Sequence, residues 1–376
     1  MELVRPVQQI TISPTFPGMQ RIRALDGLRG LSAVLVVWDH FPKMRDASWI
    51  WQIGWVVQPG PVGVTMFFVL SGFLITRILL REKSSGTLSL RTFYLKRALR
   101  IFPIYYLALL VVGVFMTWRH AGWLAAYMSN FLFAFDSAPH PLRHTWSLAV
   151  EEHFYLVWPL LLWSLSIRKA QVLVTWILPA CALGSALVFC NMLSKGTSDA
   201  LIYRSTFCQV LPLCAGGILA FHERSVGHLR SGWIAALVAG VPVLWLVGAI
   251  AQDLVSGPLL VSAYTIKLLC FTLTATCAVL VCLNAGKEGP VQRMTSFVFT
   301  GPVLTFLGTI SYGLYLFHYP ILFRLGYLHG QVELENMSAL ALLGLLIAVP
   351  TISWYGFESP ILKWKDRLVR QRSTAV

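Results

Sequence analysis

The 376-residue sequence is short of charge. Only 12% of its residues are Asp, Glu, Lys or Arg, against about 25% in a soluble domain. Hydrophobic residues make up 56%, and the mean hydropathy is +0.67. This excludes an ordinary soluble globular domain and implies an all-α chain that crosses a bilayer many times. Acids are the scarcer sign, 16 against 30 Lys and Arg, for a net charge of +14. In a soluble protein that excess would point to nucleic acid; here it is an orientation signal to be read loop by loop. The sequence also lacks a CxxC pair and any Cys/His spacing of a metal site, so no metal is expected. Cys181, Cys190, Cys214, Cys270, Cys277 and Cys282 stand inside apolar runs and read as buried, inert thiols. Residues 1–20 hold neither an apolar h-region nor a small-residue cleavage site, so no removable signal peptide is expected and the first span should act as a signal anchor. Neither an internal repeat nor a low-complexity linker is visible.

Ten apolar segments are long enough to cross, at 24–41, 60–80, 101–118, 146–166, 171–190, 206–222, 232–251, 267–284, 301–323 and 338–357. With the N-terminus inside, 22 of the 30 Lys and Arg fall on the inner side and 8 on the outer, as positive-inside orientation requires. Arg77, Arg81, Lys83, Arg91, Lys96, Arg97 and Arg100 crowd one inner loop, and Lys363, Lys365, Arg367, Arg370 and Arg372 the tail. The apolar stretch Ala121–Phe135 is short. If it crossed, the same 30 cations would divide 16 to 14 and the bias would vanish, so it is expected to be re-entrant or interfacial on the outer side. The expected organisation is a cytoplasmic segment over 1–20, one membrane domain over 21–360 around a central cavity, and a basic cytoplasmic tail over 361–376. Pro103, Pro159, Pro212, Pro302, Pro320 and Pro350 fall in or at spans, and such interruptions are tolerated where freed backbone groups line a protein cavity.

The residues able to carry chemistry are few. Arg29 and His40 lie eleven positions apart on the first span. Eleven steps of ~100° make about three turns, so both emerge on one face, roughly 16 Å apart along the axis. A cation and an imidazole on one intramembrane stripe suggest an elongated anionic ligand, its charged end at Arg29 and its reactive end near His40. The bland alternative is a snorkelling arginine and a histidine at a helix end. Arg97 and Arg100, at i and i+3, share a face at the inner mouth of the third span. They are either ordinary inner anchors or a phosphate clamp, since guanidinium binds phosphate oxygens bidentately.

In the fourth span, Ser147, Glu151, Tyr155 and Trp158 form one stripe behind Trp146. That makes Glu151 the functional candidate of the adjacent acids and leaves Glu152 and His153 as structural partners on the neighbouring face. In the ninth span, Ser311, Tyr315 and His318 share a face beside Tyr312; they form either a buried hydrogen-bond network or part of a site. Glu358 ends the last span and could pair with Arg29 or Arg97. Trp49, Trp51 and Trp55 in the outer loop read as an interfacial belt or as a sugar-stacking surface.

Taken in order, Arg23 through Gly27, Arg29 and Gly30 to His40, then GVTMFFVLSGFLI (63–75), FYLKRALRIFPIY (93–105), WSLAVEEHFYLVWP (146–159), ISYGLYLFHYP (310–320) and the final Glu358-Ser-Pro resemble the acyltransferase family 3 membrane proteins. The resemblance spans nearly the whole chain. It implies an acyltransferase of a bacterial inner membrane that moves an acyl group, often acetyl, from cytoplasmic acyl-coenzyme A to a hydroxyl of an extracytoplasmic carbohydrate or glycolipid-type acceptor. The partners implied are acyl-coenzyme A as donor substrate, that acceptor and the bilayer, with no nucleic acid and no permanently bound cofactor.

The resemblance puts the family's catalytic histidine at His40 and its paired arginine at Arg29. It puts the arginine pair at Arg97 and Arg100 and the fourth-span acid at Glu151, with Trp146, Ser147, Tyr155, Ser311, Tyr312, His318 and Glu358 binding substrate or supporting. His40 would be general base, Glu151 would hold the imidazole or the acceptor, and the pantetheine arm would run from Arg29 to His40. Many members of the family add a C-terminal hydrolase-like domain. This sequence ends soon after Glu358, so acceptor capture is expected to rest on the membrane domain. Asp39 departs from the expected pattern and, as a sequence neighbour, points away from the His40 ring. Two other classes compete: a secondary transporter or exporter of a small polar or glycan-linked solute, which broken helices and midplane ionisable residues would also suit, and a non-catalytic glycan-assembly scaffold.

Overall fold

The computed structural model describes residues 21–42, 57–193, 200–250, 260–328 and 336–364; the loop bearing Trp49, Trp51 and Trp55 lies outside them. Every regular element among these residues is helical. In chain order the helices are α1 (Arg23–His40), α2 (Pro59–Ser84), α3 (Leu90–Phe115), α4 (Ala121–Ala125), α5 (Ser129–Phe135), α6 (Trp146–Ser164), α7 (Ile167–Val172), α8 (Leu178–Leu193), α9 (Ala200–Arg204), α10 (Thr206–Phe221), α11 (Glu223–Val226), α12 (Ser231–Ile250), α13 (Leu260–Leu283), α14 (Pro290–Phe299), α15 (Pro302–Thr309), α16 (Ser311–Arg324) and α17 (Asn336–Ser353). A π-helical turn, Leu173–Ile177, joins α7 to α8, and another, Trp354–Glu358, extends α17.

Each of the ten apolar segments falls on helix. Among the described residues, six helices are long and apolar enough to cross a membrane, and α15 with α16, bent by 71°, make a seventh candidate span. Of the other three segments, α1 carries Arg23, Asp26, Arg29 and Asp39, α6 carries Glu151 and Glu152, and α10 has only 16 residues. The stretch Ala121–Phe135 forms two short helices of 5 and 7 residues, parted by Tyr127 at φ 55°. Neither helix alone can cross, since ~1.5 Å per residue leaves each far short of a bilayer. The helix break of the ninth span falls at Ile310, whereas Pro103, Pro159, Pro212, Pro320 and Pro350 sit inside helices and Pro302 opens one. Cys214, Cys270 and Cys282 are buried as expected, but Cys277 is only half-buried and Cys181 is exposed; Cys208 is buried as well.

Helix α2 is the axis of the bundle, with Phe68, Phe73, Val69, Leu70 and Leu79 almost wholly enclosed and α1, α10 and α13 packed around it. In lipid, burying leucine gains nothing over leaving it among acyl chains, so helices associate through close backbone approach. Glycine supplies that approach here. A Cβ on Gly72 would strike the Leu213 carbonyl of α10, and one on Gly216 the Val69 carbonyl of α2. A Cβ on Gly30 would strike the Leu304 carbonyl, and one on Gly308 the Asp26 carbonyl, which locks α1 against α15. Lys83, at the end of α2, donates from Nζ to the carbonyls of Leu162 (2.5 Å), Trp163 (3.1 Å) and Leu165 (2.7 Å). A single ammonium thus caps the C-terminus of α6, where helix carbonyls lack intrahelical donors.

Candidate active site

A cavity of about 410 Å³ opens between α1, α2, α3, α6, α16 and the π-helical end of α17. Its lining gathers Arg29, Arg97, Arg100, Ser147, Glu151, Tyr155, Ser311, Tyr312 and Glu358, residues that the sequence spreads over some 330 positions. Each arrives by a local device. Arg97 and Arg100 share one face of α3. Ser147, Glu151 and Tyr155 are consecutive steps of one α6 stripe, at i, i+4 and i+8. The bend after Thr309 turns Ser311, Tyr312 and Tyr315 inward, and the π turn, with its extra residue per turn, brings Trp354 and Glu358 to the wall.

The arginines of the cavity differ in how they are paired. Arg21 pairs with Asp26 at 2.7 Å, and Arg77 donates to both carboxylate oxygens of Glu223 at 2.8 Å. Among the described residues, Arg29, Arg97 and Arg100 form no ion pair within 4.0 Å. Arg97 instead lies over the Tyr155 ring, its Cζ 3.7 Å from the centroid, and its Nε is buried without a hydrogen-bond partner. The expected pairing of Glu358 with Arg29 or Arg97 does not occur; its carboxylate accepts from Ser353 Oγ at 3.2 Å. Asp26, Glu151 and Glu358 line the same cavity, yet none of them closes an ion pair with the three guanidiniums, whose hydrogen-bonding edges stay open to a multiply charged anion.

Glu151 sits deeper. Ser71 Oγ donates to its Oε1 at 2.7 Å and Tyr155 OH to its Oε2 at 3.2 Å, while Tyr155 OH also lies 2.8 Å from Ser71 Oγ. Its partners are therefore hydroxyls of α2 and α6, not the His40 imidazole. Sequence reasoning missed Ser71; a lone hydroxyl beside Gly72 in an otherwise apolar run was the signal available. Glu152 stays off the cavity wall, and His153 Nδ1 meets Thr206 Oγ1 at 2.9 Å.

His40 is not on the cavity wall. Its Nδ1 donates to the Val36 carbonyl at 2.9 Å; because a carbonyl can only accept, the proton belongs on Nδ1 and Nε2 keeps its lone pair. Asp39 packs against Gly60 and leaves the ring alone. The neighbours of His40 are the rings of His318 and Tyr319, at 5.2 and 5.1 Å. Buried His318 repeats the arrangement, with Nδ1 3.1 Å from the Leu314 carbonyl. A third imidazole, His144, which the sequence did not single out, stacks on Tyr319 at 5.0 Å and lies 5.2 Å from His318. Its ring faces the Leu316 carbonyl without closing a hydrogen bond of ordinary geometry; that carbonyl is free because residue 320 is proline and has no N–H to give. Burial and the nearby His318 and His40 hold His144 neutral, well below the usual imidazole range. Trp146 also departs from expectation: it packs between Tyr203 and Phe68, at 4.8 and 6.2 Å, away from the cavity. Among the described residues no group of acids, histidines and cysteines could hold a metal ion.

A family profile described as an acyltransferase domain matches residues 22–357, so it takes in both the cavity and the imidazole cluster. The chain belongs to acyltransferase family 3. As such it is an acyltransferase and a multi-pass integral membrane protein of the bacterial cytoplasmic membrane type, and the exporter and scaffold readings give way. It is 30% identical to the peptidoglycan O-acetyltransferase OatA of Listeria monocytogenes over 80% of this chain and 49% of that protein. It is 29% identical to a putative peptidoglycan O-acetyltransferase, YrhL, of Bacillus subtilis over 80% of this chain and 48% of that one. A putative O-acetyltransferase of Staphylococcus aureus matches at 26% over 95% of the chain and 60% of its own length. The chain thus spans about half the length of the curated relatives it matches. No solved structure matches it.

Proposed function

We propose that this family 3 acyltransferase moves an acetyl group from cytoplasmic acetyl-coenzyme A to a hydroxyl of an extracytoplasmic glycan, an acceptor of the peptidoglycan type. The observation that carries this reading is the trio Arg29, Arg97 and Arg100, which face one cavity with no ion pair within 4.0 Å among the described residues, with His40 at the far end of the same helix as Arg29. Coenzyme A phosphates would occupy the guanidiniums, with Arg97 held flat by Tyr155. The thioester arm would extend along α1 toward His40, a span of roughly 16 Å at the helical rise. His40, with Nε2 unprotonated, would take the acceptor's hydroxyl proton as the alcohol oxygen attacks the acyl carbon. The C–S bond then breaks and the proton passes to the departing thiolate. Glu151 fixes Ser71 and Tyr155, and through Tyr155 the stacked Arg97, so its part is to shape the donor site. The ten helical segments would cross with both termini inside, which brings Arg97 and Arg100 to the cytoplasmic mouth.

The test is acyl transfer in membrane vesicles, with labelled acetyl-coenzyme A on the cytoplasmic face and glycan recovered from the opposite side. Label in the glycan that depends on this protein and on His40 supports the reading. Label that appears equally without the protein, or that needs no coenzyme A thioester, sinks it.

A further inference from the structure

The imidazole cluster lies off the cavity wall, and one side chain touches both. The cavity wall includes Phe67, Ser147 and Tyr315 but none of His40, His144 and His318. The Tyr315 ring lines the cavity beside Phe67 (6.0 Å) and also lies against His144 (5.4 Å) and His318 (5.7 Å). It is pinned at its tip. Tyr315 OH donates to the His144 backbone carbonyl at 2.9 Å and meets Ser147 Oγ at 2.5 Å. One hydroxyl therefore ties α16 to the start of α6, and the ring it holds is 6% exposed.

From this placement we propose that Tyr315 is a partition between the donor cavity and the histidine compartment, and that it decides whether the acyl group goes to the acceptor or to water. The proposal rests on the reading of the cavity as the donor site. A thioester anchored on the guanidiniums meets Tyr315 before it meets His40. Buried nitrogens beside the ring lack partners, both of His144 and Nε2 of His318, and such unmet groups mark a place that a polar reactant or water fills. Transfer then requires the Tyr315 tip to leave Ser147 and the His144 carbonyl. While it stays, the imidazole base is kept from a water-filled donor cavity. The distinction matters because the base does not choose its alcohol. In transfer the acceptor oxygen bonds to the acyl carbon, the C–S bond breaks and the hydroxyl proton ends on sulfur. In hydrolysis water takes the acceptor's place and the product is free acetate. Exclusion of water until the acceptor is present is what separates the two outcomes.

Two measurements on the full-length protein in oriented vesicles test this. In the first, acetate release without acceptor is compared with transfer to acceptor. Tyr315→Ala should raise the hydrolysis-to-transfer ratio about tenfold or more, while Tyr315→Phe and Ser147→Ala, which keep the ring but loosen its tip, should raise it by a smaller factor of about two to five. In the second, His318→Cys is exposed to sulfonatoethyl methanethiosulfonate from the Arg97 side, and the labelled peptide is identified by mass spectrometry. Labelling should be slow with Tyr315 present and about tenfold faster with Tyr315→Ala. An unmoved ratio together with equal labelling overturns the partition, even if transfer is normal. Faster labelling in a protein that turns over no acetyl-coenzyme A would uphold the partition and overturn the donor-site reading instead. If Tyr315→Ala fails to fold, an unchanged ratio in both Tyr315→Phe and Ser147→Ala is sufficient to reject it.

Discussion

Arg97 lies flat against Tyr155, its guanidinium carbon 3.7 Å from the ring centroid, while the hydroxyl of the same tyrosine donates to Glu151. The contact makes one unit of what the sequence offered as two separate clusters, the arginine pair of the third span and the acid of the fourth. It also fixes the plane of a cation that has no carboxylate to hold it, a geometry worth about 0.5–2 kcal/mol for stacked cations.

Arg97→Ala and Arg100→Ala should each weaken coenzyme A binding by about 1.5–3 kcal/mol, the worth of one charged hydrogen bond. Arg97→Lys should recover less than Arg100→Lys, because an ammonium reproduces neither the fork nor the stack over Tyr155. Binding of labelled acetyl-coenzyme A to purified protein measures both; wild-type affinity in the two alanine variants would return these residues to simple inner anchors.

His40→Ala should keep donor binding and lose transfer by ~10²–10⁴, the usual contribution of a general base. His40→Gln should fare no better, since an amide cannot take a proton at neutral pH. Near-normal transfer by His40→Gln would leave the imidazole a structural group.

Glu151→Ala should destabilise the protein by about 1–3 kcal/mol, because the Ser71 and Tyr155 hydroxyls lose their acceptor inside the bundle. Glu151→Gln retains an acceptor oxygen and should cost less. Thermal unfolding in detergent ranks the two, and equal melting temperatures for wild type and both variants would contradict the network.

Lys83→Met should also lower the melting temperature, since the carbonyls of Leu162, Trp163 and Leu165 lose their shared donor. A loss of about 1–3 kcal/mol is expected from a charged hydrogen-bonding group at a helix C-terminus, and a variant as stable as wild type would show the cap to be idle.

Acid should loosen the end of the bundle that carries His140 and His144. Burial lowers the pKa of both His140 and His144 from 6.5, so as pH falls below that value the unfolded chain binds more protons than the folded one. Stability is therefore complete above about 6.5 and declines below it. Asp136, held low first by the Ala138 amide and then by Arg119 and His120, adds a further loss only as pH falls through the carboxylate range below 3.8. Unfolding curves between pH 7 and 5 should flatten in His144→Phe; an unchanged slope would show that His144 does not supply the dependence.

Hydropathy alone located all ten helical segments, because a lipid-facing helix must satisfy its backbone internally and be apolar along its own length. Periodicity within one helix was largely legible: Ser147, Glu151 and Tyr155 of the four-residue stripe and the Arg97 and Arg100 face line the cavity, whereas Trp158, its fourth member, donates instead to Thr76 Oγ1 at 2.8 Å. What spacing could not convey is which stripe meets which. Ser71 joined Glu151 across 80 positions, and Tyr315 joined Ser147 across 168. Trp146 turned to Tyr203, and Glu358 found Ser353 instead of an arginine. The bend at Ile310 and the π turn before Glu358 re-aimed side chains that a straight helix would send elsewhere. Those outcomes depend on backbone approach at Gly30, Gly72, Gly216 and Gly308, where missing Cβ atoms set how near, and at what rotation, two helices settle. Local composition therefore decided which segments are helices, and only the packed bundle decided that the arginines share a cavity whose wall His40 does not join.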